Sequence, residues 1–399
     1  MQRELQRRDL LKAALAAGLG SVAALPGHAE PPVRAQSAGA VPVLHATDLF
    51  HPHGDPDDHF DLACAYALAL RGRYDLRGVV IDYPPDFREG DPAVVAVAQM
   101  NWLTGRAVPV ALGTPRRLAH RKDALTSAPL QETAAIEFIL AQLRATERPV
   151  AVVCVGSAAD VIAAALREPR LFKEKCAGVY LNSGSAHDHP TKPAQLEFNV
   201  RLDPAAYAAM FDLPCPFYWF PCWHTTEVRQ SGESGSFYWL PHREALGNAA
   251  PGLANFFAHM FEKSTSPRWL RAMKNPPKAE SWQKILSDRR GMWSTASQFV
   301  AAGLTVTRDG KMVPVAEAGD DAVFKMQSVE VTCTDDGRTT WRPSDKDTGR
   351  WMLRVTDVER YPAAMTRAVA ELFAAFGASP LVAPDKLQEK GAASNSKRL

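Results

Sequence analysis

The chain has 399 residues, 46% of them hydrophobic and 23% charged, with a formal net charge of +2. That is a globular composition with enough length for a large core. A balance so near zero leaves no footprint for nucleic acid, and no stretch after the N-terminus has the roughly 20 uninterrupted apolar residues of a membrane span.

Residues 1–29 read as a twin-arginine export signal. "QRRDLLKAALAAGLGSVAALPGHAE" carries the pair Arg7 and Arg8, then Leu10, Leu11 and Lys12, a weakly hydrophobic run, and a small-x-small site at Gly27-His28-Ala29. A basic amphipathic helix is the plainer alternative. The signal implies a protein that folds before it enters the bacterial periplasm, with no membrane association once the signal is removed. Residues 30–40 read as a linker, 41–378 as one domain, and 379–399 as a polar tail.

From residue 41 onward strand and helix patterns alternate. "VPVLHATD" predicts a buried strand, and "DDHFDLACAYALALRGR" a helix with Asp in its first turn, where the macrodipole favours it. "LRGVVIDY" is a strand, and "DPAVVAVAQMNWLTGR" a helix with Asp91 at its N-cap and Pro92 at its first position. "AVPVALG" is a strand and "LQETAAIEFILAQLRATE" a helix. "PVAVVCVGS", "AADVIAAALREP" and "CAGVYLNSG" read as strand, helix and strand. "FKMQSVEVTCTDDGRTTWRPS" predicts a late β-hairpin turning at Asp336-Gly337, and "ERYPAAMTRAVAELFAAFGA" a closing helix. The fold class is α/β, a mostly parallel sheet with helices on both faces. Sites in such sheets lie outside the carboxyl ends of the strands, where Asp48, Val155 to Ser157 and Asn182 to Ser185 fall.

The densest chemistry is "VLHATDLFHPHGDPDDHFDLACAYAL", which sets Asp48, Asp55, Asp57, Asp58 and Asp61 where a strand hands over to a helix. Carboxylates so crowded repel one another unless a cation sits among them. Ca²⁺ accepts six to eight oxygens from carboxylates, carbonyls and water. The same residues also read as an Asp-rich helix cap on a polar loop. His51 and His53 admit a transition metal, though their spacing matches no strong motif. No Gly-x-Ser-x-Gly elbow, Gly-x-Gly-x-x-Gly or Cys-x-x-Cys occurs, which argues against acyl hydrolysis, a dinucleotide cofactor and zinc on thiolates. Of six cysteines, Cys215 and Cys222 are near enough in sequence to pair across a short loop.

"TDLFHPHGDPDDHFDLACAYAL" resembles the N-terminal signature of the inosine-uridine-preferring nucleoside hydrolases. Further segments are similar to that family in order: "VPVALGTPRRL", "PVAVVCVGSAADVIAAALREPRLFKEKCAGVYLNSGSA", "LEFNVRLDPAAYAAMF" and "VEVTCTDDGRTTWRPSD". The resemblance runs over roughly residues 43–376 and implies a Ca²⁺-dependent hydrolase of an N-glycosidic bond in nucleosides or a related glycoside. By position it implies Asp48, Asp55, Asp58 and the Val155 carbonyl as metal ligands, with Asp48 also taking a proton from the attacking water. It implies Asp57, Asn182, Glu197 and Asn199 as the residues that hold the sugar. A homo-oligomer is left open.

The sequence departs from the family pattern in several places. Six residues, "LFHPHG", separate Asp48 from Asp55 where the signature has about three. The family's last metal ligand is an Asp, but "RRGMWSTASQFVAAG" offers Met292 and Trp293 and no carboxylate nearer than Asp288. Pro84 and Pro85 replace an Asn after the second strand. "HDHPTKPAQ" and "FYWFPCWHTTEVRQSGESGSFYWLPHREAL" are rich in His, Trp and Tyr, which stack on a base or fill a core with equal ease. Glu197 and Asn199 are two apart, so on an extended segment both face one way and Phe198 faces the core. A divergent, non-catalytic sugar- or nucleoside-binding protein on the same fold is the alternative function.

Overall fold

The computed structural model describes residues 39–52, 56–84, 90–186, 196–224, 228–274 and 276–378. The residues read as signal and tail, most of those read as linker, and Asp55 lie outside the described residues.

Among the described residues nine strands form one sheet in the order β14-β13-β15-β8-β7-β6-β1-β3-β5. They are β1 (Val41–Thr47), β3 (Tyr74–Ile81), β5 (Val110–Leu112), β6 (Val150–Val155), β7 (Cys176–Asn182), β8 (Phe217–Phe220), β13 (Phe324–Cys333), β14 (Thr339–Pro343) and β15 (Arg350–Val355). Every pairing from β15 across to β5 is parallel, and only β13–β14 and β13–β15 are antiparallel. Six short strands make three side ribbons: β2 (Phe50–His51) with β4 (Asp91–Pro92), β9 (Tyr238–Pro241) with β10 (Arg289–Met292), and β11 (Leu304–Val306) with β12 (Met312–Pro314). The central strands are unbroken apolar runs because helices cover both their faces; all six residues of β6 are buried.

The helices, in chain order, are α1 (Pro56–Leu70), α2 (Val94–Thr104), α3 (Ala134–Ala145), α4 (Ala159–Arg167), α5 (Pro169–Lys175), α6 (Phe198–Leu202), α7 (Pro204–Met210), α8 (His242–Leu246), α9 (Pro251–Phe261), α10 (Trp269–Ala272), α11 (Ala279–Leu286), α12 (Thr295–Ala301), α13 (Val315–Ala318) and α14 (Tyr361–Phe373). One core packs α1, α2, α9 and α14 on one face of the sheet, and a second packs α3, α4 and α7 on the other. Helix α1 is buried from Asp58 to Ala69, on every side, so its sequence shows Ala, Leu and Cys throughout rather than a stripe.

Two expectations are corrected, and two open readings are decided. Asp91 does not cap α2: it pairs with His51 in the β2–β4 ribbon, and the helix starts after Ala93 without a side-chain cap. Ribbon pairing with a distant strand outcompetes the local capping preference there. The segment after Leu196 is not extended: Glu197 is the N-cap of α6, Asn199 lies in its first turn, and Phe198 is half-buried under the Arg201 guanidinium rather than in the core. Cys215 does not pair with Cys222; all six cysteines are free, and Cys215 makes its side-chain contact with Cys176 at the start of β7. The aromatic segment is largely core: Phe217, Trp219, Phe220 and Tyr238 are buried, and Tyr218 stacks between Tyr180 at 4.5 Å and Trp351 at 4.9 Å. The segment 187–195 lies outside the described residues.

Candidate functional site

Register decides which strand ends meet. Thr47 is opposite both Ile81 and Val155, and Val155 is opposite Asn182. The next residues, Asp48, Asp82, Gly156 and Ser183, therefore line one edge of the sheet. The chain runs from β1 outward to β3 and β5, then returns to place β6 on the other side of β1. That reversal is the topological switch point at which open α/β sheets bind ligands. Helix α1 starts there and brings Asp57 and Asp58, with Asp61 one turn on.

The edge is strongly acidic and largely dry. Asp48 and Asp58 are 4% and 6% exposed, and Asp61 is fully buried. Burial, with the Asp160 and Asp48 carboxylates nearby, pushes Asp82 well above the usual carboxylate range, against the pull of the Ser157 amide and hydroxyl. The Ser157 amide donates to Asp82 Oδ2, and a Cβ on Gly156 would collide with that oxygen. This close approach is why a glycine follows β6. Burial raises Asp61 to about 7, while the Ser294 and Thr295 hydroxyls pull it down and Asp48 pushes it further up. Asp160 is also raised to about 7 by burial, held back by the Thr114 amide, which reaches its two oxygens at 3.1 and 3.2 Å.

The sugar-holding candidates lie around the same edge. Arg290 Nη2 on β10 donates to Asp57 Oδ1 at 2.9 Å. Asn182, at the end of β7, donates to the Trp293 carbonyl at 3.0 Å, and its own carbonyl accepts from Asn199 Nδ2 at 3.1 Å. Glu197 is buried, accepting from the Gly184 amide at 2.7 Å, the Asn199 amide at 3.1 Å and the Ser183 hydroxyl at 3.2 Å. Burial raises its pKa, and those donors oppose the rise. Trp219 Nε1 clamps the Ser183 carbonyl at 2.8 Å. Glu197 thus fixes the loop after β7, a role that its extended-strand reading missed.

The segment that should have carried the last metal ligand does reach the site, with different chemistry. Met292 is core, the Trp293 carbonyl takes Asn182, and the Ser294 hydroxyl donates to Asp61 Oδ2. Asp288 stands apart, between α11 and β10, where its carbonyl accepts from the His242 amide. Sequence reasoning passed over Asp82 and Arg290. Asp82 had a visible signal: it ends the apolar run "GVVID" as Asp48 ends "VLHATD".

The donors fit a hard divalent cation by type. Asp48, Asp58 and the Val155 carbonyl offer only oxygen, and the like charges of Asp48, Asp82 and Asp160 are what a cation relieves. Asp61 Oδ1 is buried with no hydrogen-bond partner among the described residues, as is Asn182 Oδ1. Among the described residues alone, no three His, Cys, Asp or Glu side chains complete an ion's shell. Asp55 is outside them.

The chain matches the model of the family described as inosine-uridine preferring nucleoside hydrolase over residues 54–360. It belongs to that family. The match begins after Asp48, at Gly54, the last residue of the insert "LFHPHG" that separates the first strand from Asp55. No curated protein matches it by sequence. Among solved structures it is similar to the inosine-uridine preferring nucleoside hydrolase from Bacillus anthracis, at 16% identity and a TM-score of 0.46, over 83% of this chain and 99% of that one. It is similar to the purine-preferring ribonucleoside hydrolase from Gardnerella vaginalis, at 13% identity and a TM-score of 0.44, over 83% and 99%. The type III effector protein XopQ complexed with adenosine diphosphate ribose matches at 15% identity and a TM-score of 0.49, over 85% and 95%.

Proposed function

We propose that this nucleoside hydrolase family member hydrolyses the N-glycosidic bond of a nucleoside or a related glycoside at the switch-point edge. The observation that supports this reading is the β1–β6 register, which sets Thr47 opposite Val155 so that buried Asp48 follows at the carboxyl edge of the sheet, with buried Asp58 in the first turn of α1. In this reading Asp48, Asp58 and the Val155 carbonyl, joined by Asp55, would hold a calcium ion, which would make a water beside it easier to deprotonate. Asp48 is the residue placed to accept that proton. Asp57, Asn182, Glu197 and Asn199 surround the sugar and orient its hydroxyls as the ring flattens. Arg290 already bonds Asp57, so a hydroxyl held by Asp57 shares that carboxylate with the guanidinium. Burial of these groups strengthens each contact over its value in water. The Arg7-Arg8 pair supports export to the periplasm by the twin-arginine route.

A second reading, a binding protein without catalysis, draws on one observation: Trp293 and Ser294 stand where a carboxylate was expected. A panel of nucleosides and free sugars, read by thermal shift and by release of base, separates the two. Base release that needs Asp48 supports the hydrolase; stabilisation by ribose-type compounds without base release supports the binding protein. No response to any compound overturns both.

A further inference from the structure

On the side of α1 facing the β2–β4 ribbon there is a small, shallow cleft, partly open to solvent. Three imidazoles line it from three elements: His51 on β2, His59 on α1 and His259 on α9. Lys263 joins them just past the end of α9, and Val95 and Ala96 bring the first turn of α2. No Asp or Glu lines the cleft among the described residues. Glu262 stands beside it and Met260 is the largest apolar group within it.

We infer that this cleft is a binding site for a tetrahedral oxyanion, a phosphate group, held by His51, His259, Lys263 and the amino end of α2. His259 is 9% exposed, and its Nε2 is buried with no hydrogen-bond partner among the described residues. A buried imidazole nitrogen left without a partner is costly, and an anion oxygen would satisfy it. Helix α2 has 11 residues, Val94–Thr104, and no side-chain cap, and Val95 and Ala96 of its first turn line this cleft at the positive end of its dipole. The Lys263 ammonium and the backbone amides donate, and each imidazole donates from the ring nitrogen that carries its proton. A transition ion on the three imidazoles is the other chemistry in principle. The described side chains do not gather closely enough to ligate one.

The phosphate could be free or part of an ester, and the site does not depend on the hydrolase reading. The test titrates full-length protein with inorganic phosphate, and separately with a nucleoside 5′-monophosphate and its parent nucleoside, by calorimetry. Wild type should bind phosphate. His259→Gln and Lys263→Gln should each weaken it about tenfold, the loss expected for one charge-assisted hydrogen bond. Lys263 is exposed, so its variant folds even where the buried His259 change does not. A monophosphate bound more tightly than its nucleoside, with the gain lost in both variants, identifies an ester; equal binding of ester and free phosphate identifies the anion alone. Absence of phosphate binding to wild type, or full affinity in Lys263→Gln, overturns the site.

Discussion

Arg290 reaches from β10 to within 2.9 Å of Asp57 at the start of α1, across 233 residues of sequence. The carboxylate expected to hold a sugar hydroxyl therefore belongs to an ion pair, 23% and 14% exposed on its two side chains. This contact ties the small β9–β10 ribbon to the acidic edge of the sheet.

Arg290→Gln should lower stability by about 1–2 kcal/mol, because Asp57 then keeps its charge in a half-buried place with a weaker donor. Urea unfolding of Arg290→Gln, Asp57→Asn and the double variant gives the coupling. Strictly additive losses would show that the pair contributes nothing beyond its parts.

Asp58→Ala should abolish binding of a divalent cation while the fold persists. Calorimetry with Ca²⁺ on both proteins checks it. Equal affinity would remove the metal reading of the strand-end cluster.

Asn199→Ala should weaken a ribose-type ligand by roughly 1–3 kcal/mol, the usual cost of a buried polar partner left unpaired. Its side-chain amide holds the Asn182 carbonyl, so the change also loosens the end of β7. A hydrolase should show a fall in kcat as well as in affinity. An unchanged kcat and KM would exclude Asn199 from the site.

The buried acids predict a pH dependence of stability. Burial pushes the Asp160 carboxyl up to about 7 from an ordinary 3.8. A carboxyl raised in this way stabilises the fold fully below about pH 4, and that contribution is lost as pH rises towards 7. Asp160→Asn keeps an acceptor for the Thr114 amide and cannot ionise. Its melting temperature should fall less than that of the wild type between pH 4 and 8. Parallel curves would mean that Asp160 ionises as freely folded as unfolded.

Replacing Arg7 and Arg8 by Lys should leave uncleaved precursor in the cytoplasm. Fractionation that still finds mature protein in the periplasm would count against the twin-arginine route.

Local sequence determined the strands β1, β3, β6 and β7, the helices α1 and α4, and the hairpin at Asp336-Gly337. Each depends on apolar runs, period and turn residues, which act over a few positions. The same local logic placed Asp48 and Asp58 at a strand end and a helix start. What the tertiary structure alone decided is which of these ends meet. Asp82 joins Asp48 through the β1–β3 register, Asp57 meets Arg290, and Asp61 meets Ser294, the last two partners each 233 residues away. Asp91 was lost to a ribbon with His51, and Glu197 became a cap because the Gly184 amide lies beside it. Local patterns carry helix and strand preferences of tenths of a kcal/mol to about 1 kcal/mol per residue. Burying a carboxylate costs more than that unless donors converge on it, and only the packed sheet brings those donors from distant parts of the chain.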